Sequence, residues 1–291
     1  MISIAMATYN GEKYLHEQID SILRQTVKPT EIVICDDCST DNTWDILQQY
    51  ASMDSRFHIY RNDQNLGFGG NFEKAISLCH GDYIALSDQD DIWVDNHIEL
   101  LYNGLGNKMM SCGNALLVDE NGNSLGTTWK EMEQLDYIPD DDFLKLKSII
   151  LFRNPFQGAS MLFRKELIMY ALPFPQGTLF HDRWFAMVAA ATGGINYINE
   201  ILLNYRRTQQ NVTVDRIKRN RIKTVTHGWA PRSTDDVDNL MERTKLLMSP
   251  SQIKEIHRWR YYIKNNTLWR KPITILFLLK DYKNIYSYSF K

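Results

Sequence analysis

The chain has 291 residues with a formal net charge of −2; 44% of the residues are hydrophobic and 12% aromatic, as in a globular protein with a sizeable core. The sequence excludes a cysteine-rich metal fold and a membrane-spanning chain, because its four cysteines lack paired metal spacing and no apolar run approaches about 20 residues. A strand-like start at Ile2 predicts no signal peptide, and the cysteines are expected to be reduced in a cytosolic protein.

The first 95 residues alternate between short apolar runs and amphipathic segments. The apolar runs predict four strands with helices between them, at residues 2–8, 31–35, 57–61 and 83–86. Strands and helices that alternate at this spacing predict βαβ units and a parallel sheet. Ligands of such sheets bind beyond the carboxyl ends of the strands, and three of the four runs continue there into polar or glycine-rich loops.

The fourth predicted strand ends in three carboxylates within four residues, Asp88, Asp90 and Asp91. Negative charges this close repel each other unless something positive lies beside them. The pattern predicts either a hard divalent cation that bridges a carboxylate to a substrate phosphate, or a solvated turn that caps a helix. The three aspartates alone leave both interpretations open.

The chain beyond Trp93 predicts a further set of helices and strands. They are a helix at 96–105, a strand at 110–118, an acidic irregular region at 127–150, a strand at 157–163, a helix from Phe180, and strand-like segments at 195–197 and 202–205. Asp182 falls in the first turn of the predicted helix that follows Phe180. It is interpreted there either as a carboxylate that the helix dipole stabilises or as a functional group.

Five motifs then occur in a fixed order. They are Ala7-Thr8-Tyr9-Asn10, Cys35-Asp36-Asp37-Cys38-Ser39-Thr40-Asp41, Asn65-Leu66-Gly67, Asp88-Gln89-Asp90-Asp91 and His181-Asp182. This ordered set resembles family 2 glycosyltransferases with the GT-A fold over roughly residues 1–210. The sequences around Trp93 and His181 are similar to those of bacterial rhamnosyltransferase-like members. The resemblance implies an α/β fold with a mostly parallel sheet flanked by helices. It also implies a catalytic domain at 1–215, with a nucleotide-sugar half at about 1–95 and an acceptor half at about 96–215, followed by a helical extension at 216–291.

The resemblance implies an enzyme that moves a sugar, with inversion, from a UDP- or dTDP-sugar to a hydroxyl of a glycan acceptor in bacterial surface polysaccharide or glycoconjugate synthesis. The implied nucleotide-sugar contacts are Thr8, Tyr9, Asn10, Asp36, Asp37, Asn65, Gly67, Asp88, Arg206 and Arg207. Asp90, together with Asp88, would bind Mg²⁺ or Mn²⁺, and Asp182 would be the catalytic base.

One position departs from the family pattern. Relatives often carry a histidine a few residues after the Tyr-Arg of the last strand, whereas Tyr205-Arg206-Arg207 is followed here by Thr208. Three explanations stay open: His181 replaces the missing ligand, Arg207 supplies the charge, or the metal is held more weakly.

Two other functions fit parts of the pattern. A sugar nucleotidyltransferase also combines a parallel sheet with a carboxylate-held metal, but it is expected to carry a glycine-rich loop with Lys or Arg after the first strand, and the loop here is Thr8-Tyr9-Asn10-Gly11-Glu12. A nucleotide- or glycan-binding module that has lost catalysis would be favoured if Asp182 were buried away from the cleft.

Charge is divided unevenly along the chain. Residues 216–291 hold 17 Lys and Arg against 6 Asp and Glu, while residues 1–215 hold 16 against 29. The basic, aromatic-rich part predicts either helices that pack on the catalytic domain or on another subunit of a homo-oligomer, or a surface at 245–291 that rests on an anionic membrane. The second alternative places a cytoplasmic enzyme at the inner face of the plasma membrane, beside a lipid-linked acceptor. Nucleic acid is not an expected partner, because the acidic first part would repel it.

Overall fold

In the computed structural model, which describes residues 1–133, 135, 138–151, 154–176, 180–208 and 234–264, nine strands form one mixed sheet. The strands are β1 (Ile2–Thr8), β2 (Glu31–Asp36), β3 (Phe57–Arg61), β4 (Tyr83–Ser87), β5 (Ile92–Trp93), β6 (Met110–Val118), β7 (Ser124–Thr128), β8 (Met161–Arg164) and β9 (Ile195–Arg206). The helices are α1 (Leu15–Leu23), α2 (Thr43–Met53), α3 (Gly67–Ser77), α4 (His97–Leu105), α5 (Trp129–Met132), α6 (Asp142–Leu151), α7 (Ile168–Ala171), α8 (His181–Thr192), α9 (Thr234–Thr244) and α10 (Pro250–Lys264).

The strand order explains why one edge of the sheet collects the predicted motifs. The order is β3-β2-β1-β4-β8-β6-β9-β5, with β7 paired to β6. The neighbouring pairs β1–β2, β1–β4 and β2–β3 are parallel, which confirms the parallel sheet predicted for the first 95 residues. β8 runs antiparallel to both β4 and β6, so the second half of the sheet is mixed. The carboxyl ends of β1, β2 and β4 therefore lie side by side.

Helices cover both faces of the sheet, and this explains the continuous apolar run of β1. Ile4 and Met6 belong to one core with helices α1, α2 and α4, whereas Ala5 and Ala7 belong to the other core with helices α3 and α8. Alternate residues of a strand face opposite sides of the sheet, so a strand that is buried on both faces has no polar positions to alternate.

Two predicted segments differ from the structure. The region at 127–150 is not irregular, because α5 and α6 lie within it, and α5 begins with a capping box between Thr128 and Glu131. The strand predicted at 157–163 begins only at Met161. Before it, Gly158–Ser160 form a turn of 3₁₀-helix in which Ser160 N and Oγ both donate to Gln157 O.

The described part of the C-terminal region consists of two helices that pack on the rest of the chain. Leu240 of α9 and Ile256 and Trp259 of α10 are buried in the same core as α8. The ring of Trp259 lies 4.9 Å from that of Phe143, between centroids. The basic cluster at 216–223 and residues 265–291 lie outside the described residues, and no helix of the described chain is long and apolar enough to cross a membrane.

His97 gives this fold a predictable sensitivity to acid. Its ring is fully buried, stacks on Trp93 with the centroids 3.9 Å apart, and donates from Nδ1 to Leu202 O at 2.9 Å. Burial lowers the pKa of His97 to about 3. Because an unfolded histidine titrates near pH 6.5, the unfolded state binds more protons between pH 6.5 and 3, so this residue makes the protein less stable as the pH falls through that window.

We expect His97 alone to reduce the free energy of unfolding by up to about 1.4 kcal/mol for each pH unit below 6.5. Urea unfolding at pH 7.5 and pH 5.5 measures the effect, and His97→Gln supplies the comparison, because it keeps a donor for Leu202 O but does not titrate. The difference in stability between the two pH values should be smaller in the variant. An equal difference in both proteins would show that His97 does not carry this proton.

Candidate active site

The ends of β1 and β2 form the first part of the site. Thr8 and Asp36 are partners in the parallel register, and Thr8 Oγ1 donates to Asp36 Oδ1 at 3.2 Å. The Asp36 carboxylate is fully buried and also accepts from the backbone N and the hydroxyl of Ser39. Its described bonds are thus to the protein, where it shapes the loop that follows β2. A direct contact between Asp36 and a ligand stays a prediction.

Asp37 organises the loop that precedes α3. Its carboxylate accepts from Leu66 N at 2.7 Å and from Gly67 N at 2.9 Å, and Asn65 Nδ2 donates to its carbonyl at 3.2 Å. Gly67 has a φ of +73°, a conformation that strongly favours glycine. The sequence places Asp37 about 30 residues from this loop, and the structure brings Asp37, Asn65 and Gly67 into direct contact.

The Tyr9–Asn10 segment closes the same loop cluster. Asn10 adopts a positive φ of 49° and accepts on Oδ1 from Thr40 N at 2.8 Å, while its own backbone N donates to Ser39 Oγ at 2.9 Å. Tyr9 as a whole residue is 50% exposed. It is therefore an exposed aromatic residue next to the polar loop that follows β2.

Gln89, the residue between Asp88 and Asp90, ties this segment to the aspartate loop. Its amide makes two hydrogen bonds to one residue: Tyr9 N donates to Gln89 Oε1 at 2.8 Å, and Gln89 Nε2 donates to Tyr9 O at 3.0 Å. A Cβ atom at Gly11 would lie 2.3 Å from Gln89 Oε1, so the glycine leaves room for this clamp. Sequence reasoning missed Gln89, because nothing local distinguishes the middle residue of the motif.

The carboxylates that follow β4 form a cluster of like charge with Asp182. Burial, together with the charges of Asp90 and Asp182, raises the pKa of Asp88 to about 8. Burial raises the pKa of Asp90 to about 6. Asp88, Asp90 and Asp182 are each half-buried. The charge of Asp182, the predicted base, therefore reaches Asp88, a predicted metal ligand, although the two residues are 94 positions apart in the chain.

Asp182 is held at the start of α8 by its neighbours. Asn154 Nδ2 donates to Asp182 Oδ2 at 3.3 Å and to Phe156 O at 2.7 Å, and the backbone N of Arg183 donates to Asp182 Oδ1 at 2.6 Å. The segment that contains Asn154 thus positions the carboxylate from the side of the sheet. Asn154 was not predicted, because its contact with Asp182 depends on how this segment folds back on α8.

A divalent cation fits the chemistry of Asp88 and Asp90. Burial and the charges of Asp90 and Asp182 raise the pKa of Asp88, so a bound cation would favour its ionised form, and hard cations such as Mg²⁺ and Mn²⁺ prefer oxygen ligands of this kind. Within the residues that the structure describes, no group of three or more His, Cys, Asp and Glu side chains is arranged to hold an ion. Among the described residues, Asp88 and Asp90 would be the carboxylate ligands of such a site, and His181 stays a further predicted ligand.

Arg206 holds the aspartate loop from behind. Its guanidinium is buried and donates to the carbonyls of Asp90 and Glu120, at 2.9 and 2.8 Å, and to the carboxylate of Glu17. It also lies over the ring of Tyr14, 4.5 Å from the centroid. The sequence predicted that Arg206 contacts the nucleotide sugar. Its described contacts hold the Asp90 backbone in place, and a direct contact between Arg206 and the nucleotide sugar stays a prediction.

Asp91 also helps to hold Arg206 and the aspartate loop together. Its Oδ1 accepts from Arg206 N at 3.0 Å, while Oδ2 has no hydrogen-bond partner in the described structure. The carboxyl group is fully buried, and burial beside Asp90 and Asp88 raises its pKa well above the usual range for aspartic acid. Asp91 therefore supports β9 from within the protein and differs in environment from the two aspartates that precede it.

His181 and Arg207 lie near the site in different surroundings. The His181 ring is buried, stacks on Phe72 with the centroids 4.2 Å apart, and lies 5.0 Å from Phe68. Burial lowers its pKa to about 3, so the ring is neutral. Arg207 is half-buried and donates from Nη1 to Met132 Sδ at 3.4 Å. The stacking accounts for the position of the His181 ring, but neither of its buried nitrogens has a hydrogen-bond partner in the described structure. The roles predicted for both residues in metal or diphosphate binding stay predictions.

Known proteins resemble this chain over much of its length. The family model for glycosyl transferase family 2 matches residues 3–168. An uncharacterized glycosyltransferase of Methanocaldococcus jannaschii is 29% identical over 230 residues, which cover 76% of each chain. A UDP-Glc:alpha-D-GlcNAc-diphosphoundecaprenol beta-1,3-glucosyltransferase of Escherichia coli is 41% identical over 98 residues, which cover 34% of this chain and 38% of the relative.

Solved structures show the same fold at low sequence identity. TarS 1–349 of S. aureus in complex with UDP-GlcNAc matches with a TM-score of 0.61 and 17% identity, over 92% of this chain and 72% of that one. A mannosyltransferase of Pyrobaculum calidifontis in complex with GDP-Man and Mn²⁺ matches with a TM-score of 0.59 and 16% identity, over 97% and 75% of the two chains.

Proposed function

The chain belongs to glycosyl transferase family 2, and we propose that it is a metal-dependent, inverting enzyme that transfers a sugar from a UDP- or dTDP-sugar to a hydroxyl of a glycan acceptor. It is a glycosyltransferase with the GT-A fold, so the nucleotidyltransferase alternative falls away. The observation that carries the proposal is that Asp88 and Asp90 lie directly beyond the carboxyl end of β4 and that the charge of Asp182 reaches Asp88. This arrangement also favours an active enzyme over a binding module that has lost catalysis.

In this proposal the loops after β1 and β2, with the loop before α3, bind the nucleotide of the donor. The residues concerned are Thr8, Tyr9, Asn10, Asp36, Asp37, Asn65 and Gly67. The half-exposed Tyr9 offers an aromatic ring on which a planar base can stack. The loop that Asp37 fixes lies directly beside it, so base and ribose would be held by groups whose positions are set before the ligand arrives.

The Gln89 clamp makes this part of the proposal testable. Gln89→Ala removes both hydrogen bonds to Tyr9, and Gly11→Ala pushes a methyl group against the same amide. Two hydrogen bonds of about 1 kcal/mol each hold the loop, so we expect the affinity for the donor to fall roughly tenfold in either variant. Calorimetric titration measures it, with Gln49→Ala on the exposed face of α2 as the control. Wild-type affinity in both clamp variants would contradict the role of Gln89.

A bound Mg²⁺ or Mn²⁺ would neutralise the charge that develops on the departing nucleoside diphosphate. Asp90, assisted by Asp88, would hold the cation, and Arg206 would keep the Asp90 backbone in place. The P. calidifontis mannosyltransferase was solved in complex with Mn²⁺ as well as GDP-Man, which supports the use of such a cation within this fold.

Asp182 would act as the general base. A carboxylate placed beside the acceptor hydroxyl can take its proton as the oxygen attacks the anomeric carbon from the face opposite the leaving group, which inverts the configuration. The transition state is expected to have oxocarbenium character, as in glycoside hydrolysis. Asn154 would keep the carboxylate oriented toward that proton.

The acceptor is proposed to be a lipid-linked glycan at the inner face of the plasma membrane. The name of the E. coli relative specifies a diphosphoundecaprenol-linked acceptor. The face of α10 opposite its buried residues also supports the proposal, because it exposes Lys254, Arg258, Tyr261 and Lys264. Sedimentation with vesicles that contain about 30% anionic lipid tests the contact. If the protein does not sediment with these vesicles even at low salt, the membrane contact is excluded.

The first experiment is calorimetric titration with a panel of UDP-, dTDP- and GDP-sugars, each with Mn²⁺ and with EDTA. We expect one nucleotide sugar to bind and its affinity to drop in EDTA, which would identify the donor and the metal dependence together. The anomeric configuration of the product, read by NMR, then tests inversion. Binding that EDTA does not change would reject the metal, and retention of configuration would reject the direct displacement.

A further inference from the structure

Gln157 is a buried side chain whose amide is unused by the protein. The residue is 4% exposed, and within the described structure neither Nε2 nor Oε1 has a hydrogen-bond partner. A buried polar group without a partner costs about 1 to 3 kcal/mol, and most such groups in folded proteins are paired. Gln25 shows the usual arrangement, because its buried amide donates to Ser21 O and Val94 O and accepts from Ile98 N.

Gln157 belongs to the segment that packs on Asp182. Asn154, three residues earlier, donates to the Asp182 carboxylate. A Cβ atom at Gly158, the next residue, would lie 3.4 Å from the Cβ atom of Asp182 and 3.0 Å from His181 Nε2. The Asn154 side chain before Gln157 and the Gly158 backbone after it therefore both lie against the start of α8, where the proposed base is located.

A second unpartnered group lies in the same neighbourhood. Cys112 Sγ contacts Gln157 O at 3.6 Å and Ser160 Oγ at 3.0 Å, and Tyr197 is its partner across the β6–β9 pair. The hydroxyl of Tyr197 is buried and, among the described residues, has no hydrogen-bond partner. Burial raises the pKa of the Cys112 thiol to about 12, and the charge of Asp182 adds to this, which places the carboxylate within electrostatic reach.

We propose that the Gln157 amide binds hydroxyl groups of the transferred sugar, together with the hydroxyl of Tyr197, whose ring centroid lies 6.3 Å from that of Phe156; this inference rests on the proposed function. An amide offers a donor and an acceptor at once, which is the complement of a sugar hydroxyl. The donor sugar is the ligand chosen, because the proposed displacement brings its anomeric carbon within one hydroxyl group of Asp182, against which Asn154 and Gly158 pack on either side of Gln157. The side chain must rotate to meet the sugar, and the rotation breaks no hydrogen bond to the protein.

The test compares Gln157→Met with Gln25→Met. Methionine fills a similar volume without polar atoms, so replacing an unpartnered amide should leave the urea midpoint of unfolding unchanged or raise it. The same change at Gln25 should lower the midpoint clearly, because three hydrogen bonds are lost there. A lowered midpoint in Gln157→Met would overturn the inference, since it would show that the amide already has a partner, such as an internal water.

The binding part of the test uses the nucleotide sugar that the wild type binds and the matching nucleoside diphosphate. In Gln157→Met we expect affinity for the nucleotide sugar to fall about tenfold and affinity for the nucleoside diphosphate to stay unchanged. If Gln157→Met binds both ligands as tightly as the wild type does, or loses affinity for both equally, the inference is overturned and the proposed function still stands. Failure of the wild type to bind any nucleotide sugar would refute the proposed function itself, and the sugar contact with it.

Discussion

Asp182→Asn is expected to abolish sugar transfer and to leave donor affinity at the wild-type level or slightly tighter. Asparagine keeps the size of the side chain and its contact with Arg183 N, but it cannot accept the acceptor proton. General-base catalysis contributes about 100-fold to 10,000-fold, so turnover should fall by at least that amount. Donor binding should not weaken, because the charge of Asp182 raises the pKa of Asp88 and so opposes the ionised form that a cation needs.

The measurement combines product formation with calorimetric titration of the donor in Mn²⁺. Asp45→Asn is the matched control, because it makes the same change in the first turn of α2, at an exposed position. Turnover in Asp182→Asn within about tenfold of the wild type would reject Asp182 as the base. Loss of donor binding in the variant would instead assign the carboxylate to the donor or the metal.

Asp90→Asn is expected to remove the metal dependence of donor binding. The amide supplies a neutral oxygen in place of a charged one, so the affinity gained by adding Mn²⁺ should fall roughly tenfold to a hundredfold. Titration of the donor with and without Mn²⁺ measures the change. An undiminished response to Mn²⁺ in Asp90→Asn would exclude this aspartate from the metal site.

The adjacent Asp91 provides a sharp control for that experiment. Its Oδ1 accepts from Arg206 N, its Oδ2 has no partner among the described residues, and its raised pKa favours the neutral acid. Asp91→Asn therefore keeps the hydrogen bond from Arg206 N to Oδ1 and replaces a carboxyl group whose raised pKa already favours the neutral form. We expect stability and Mn²⁺ response close to those of the wild type, although the two aspartates are neighbours in the sequence.

The family, the parallel first half of the sheet and the grouping of the motifs at one edge were predictable from the sequence, and these predictions are confirmed. The family rests on the resemblance of five ordered motifs, whereas the sheet and the grouping of the motifs rest on spacing within short segments and on the rule that parallel strands end together. The prediction of an irregular region at 127–150 was wrong, although the sequence contains the Thr128 and Glu131 spacing of the capping box that begins α5.

The supporting residues could not be predicted, because their partners lie far away in the chain. Gln89 bonds to Tyr9 across 80 residues, and Arg206 bonds to Glu17 across 189. Local pattern also cannot separate Asp36, which is bonded within its loop, from Asp37, which holds a second loop. Nothing in the sequence distinguishes Gln157 from other glutamines, because what sets it apart is a buried amide without hydrogen-bond partners in the described structure.

The interleaving of the sheet also limits how relatives of this enzyme can be recombined. β4, which leads to Asp88, pairs with β8, and the short β5 that follows the aspartates pairs with β9 at Leu203 and Asn204. A chimaera joined near residue 95 would therefore inherit its donor loops from one parent and the strands that brace them from the other. A chimaera that takes residues 1–95 from one relative should keep that relative's donor binding only when the segment around Met161–Arg164 and the residue at position 206 come from the same relative.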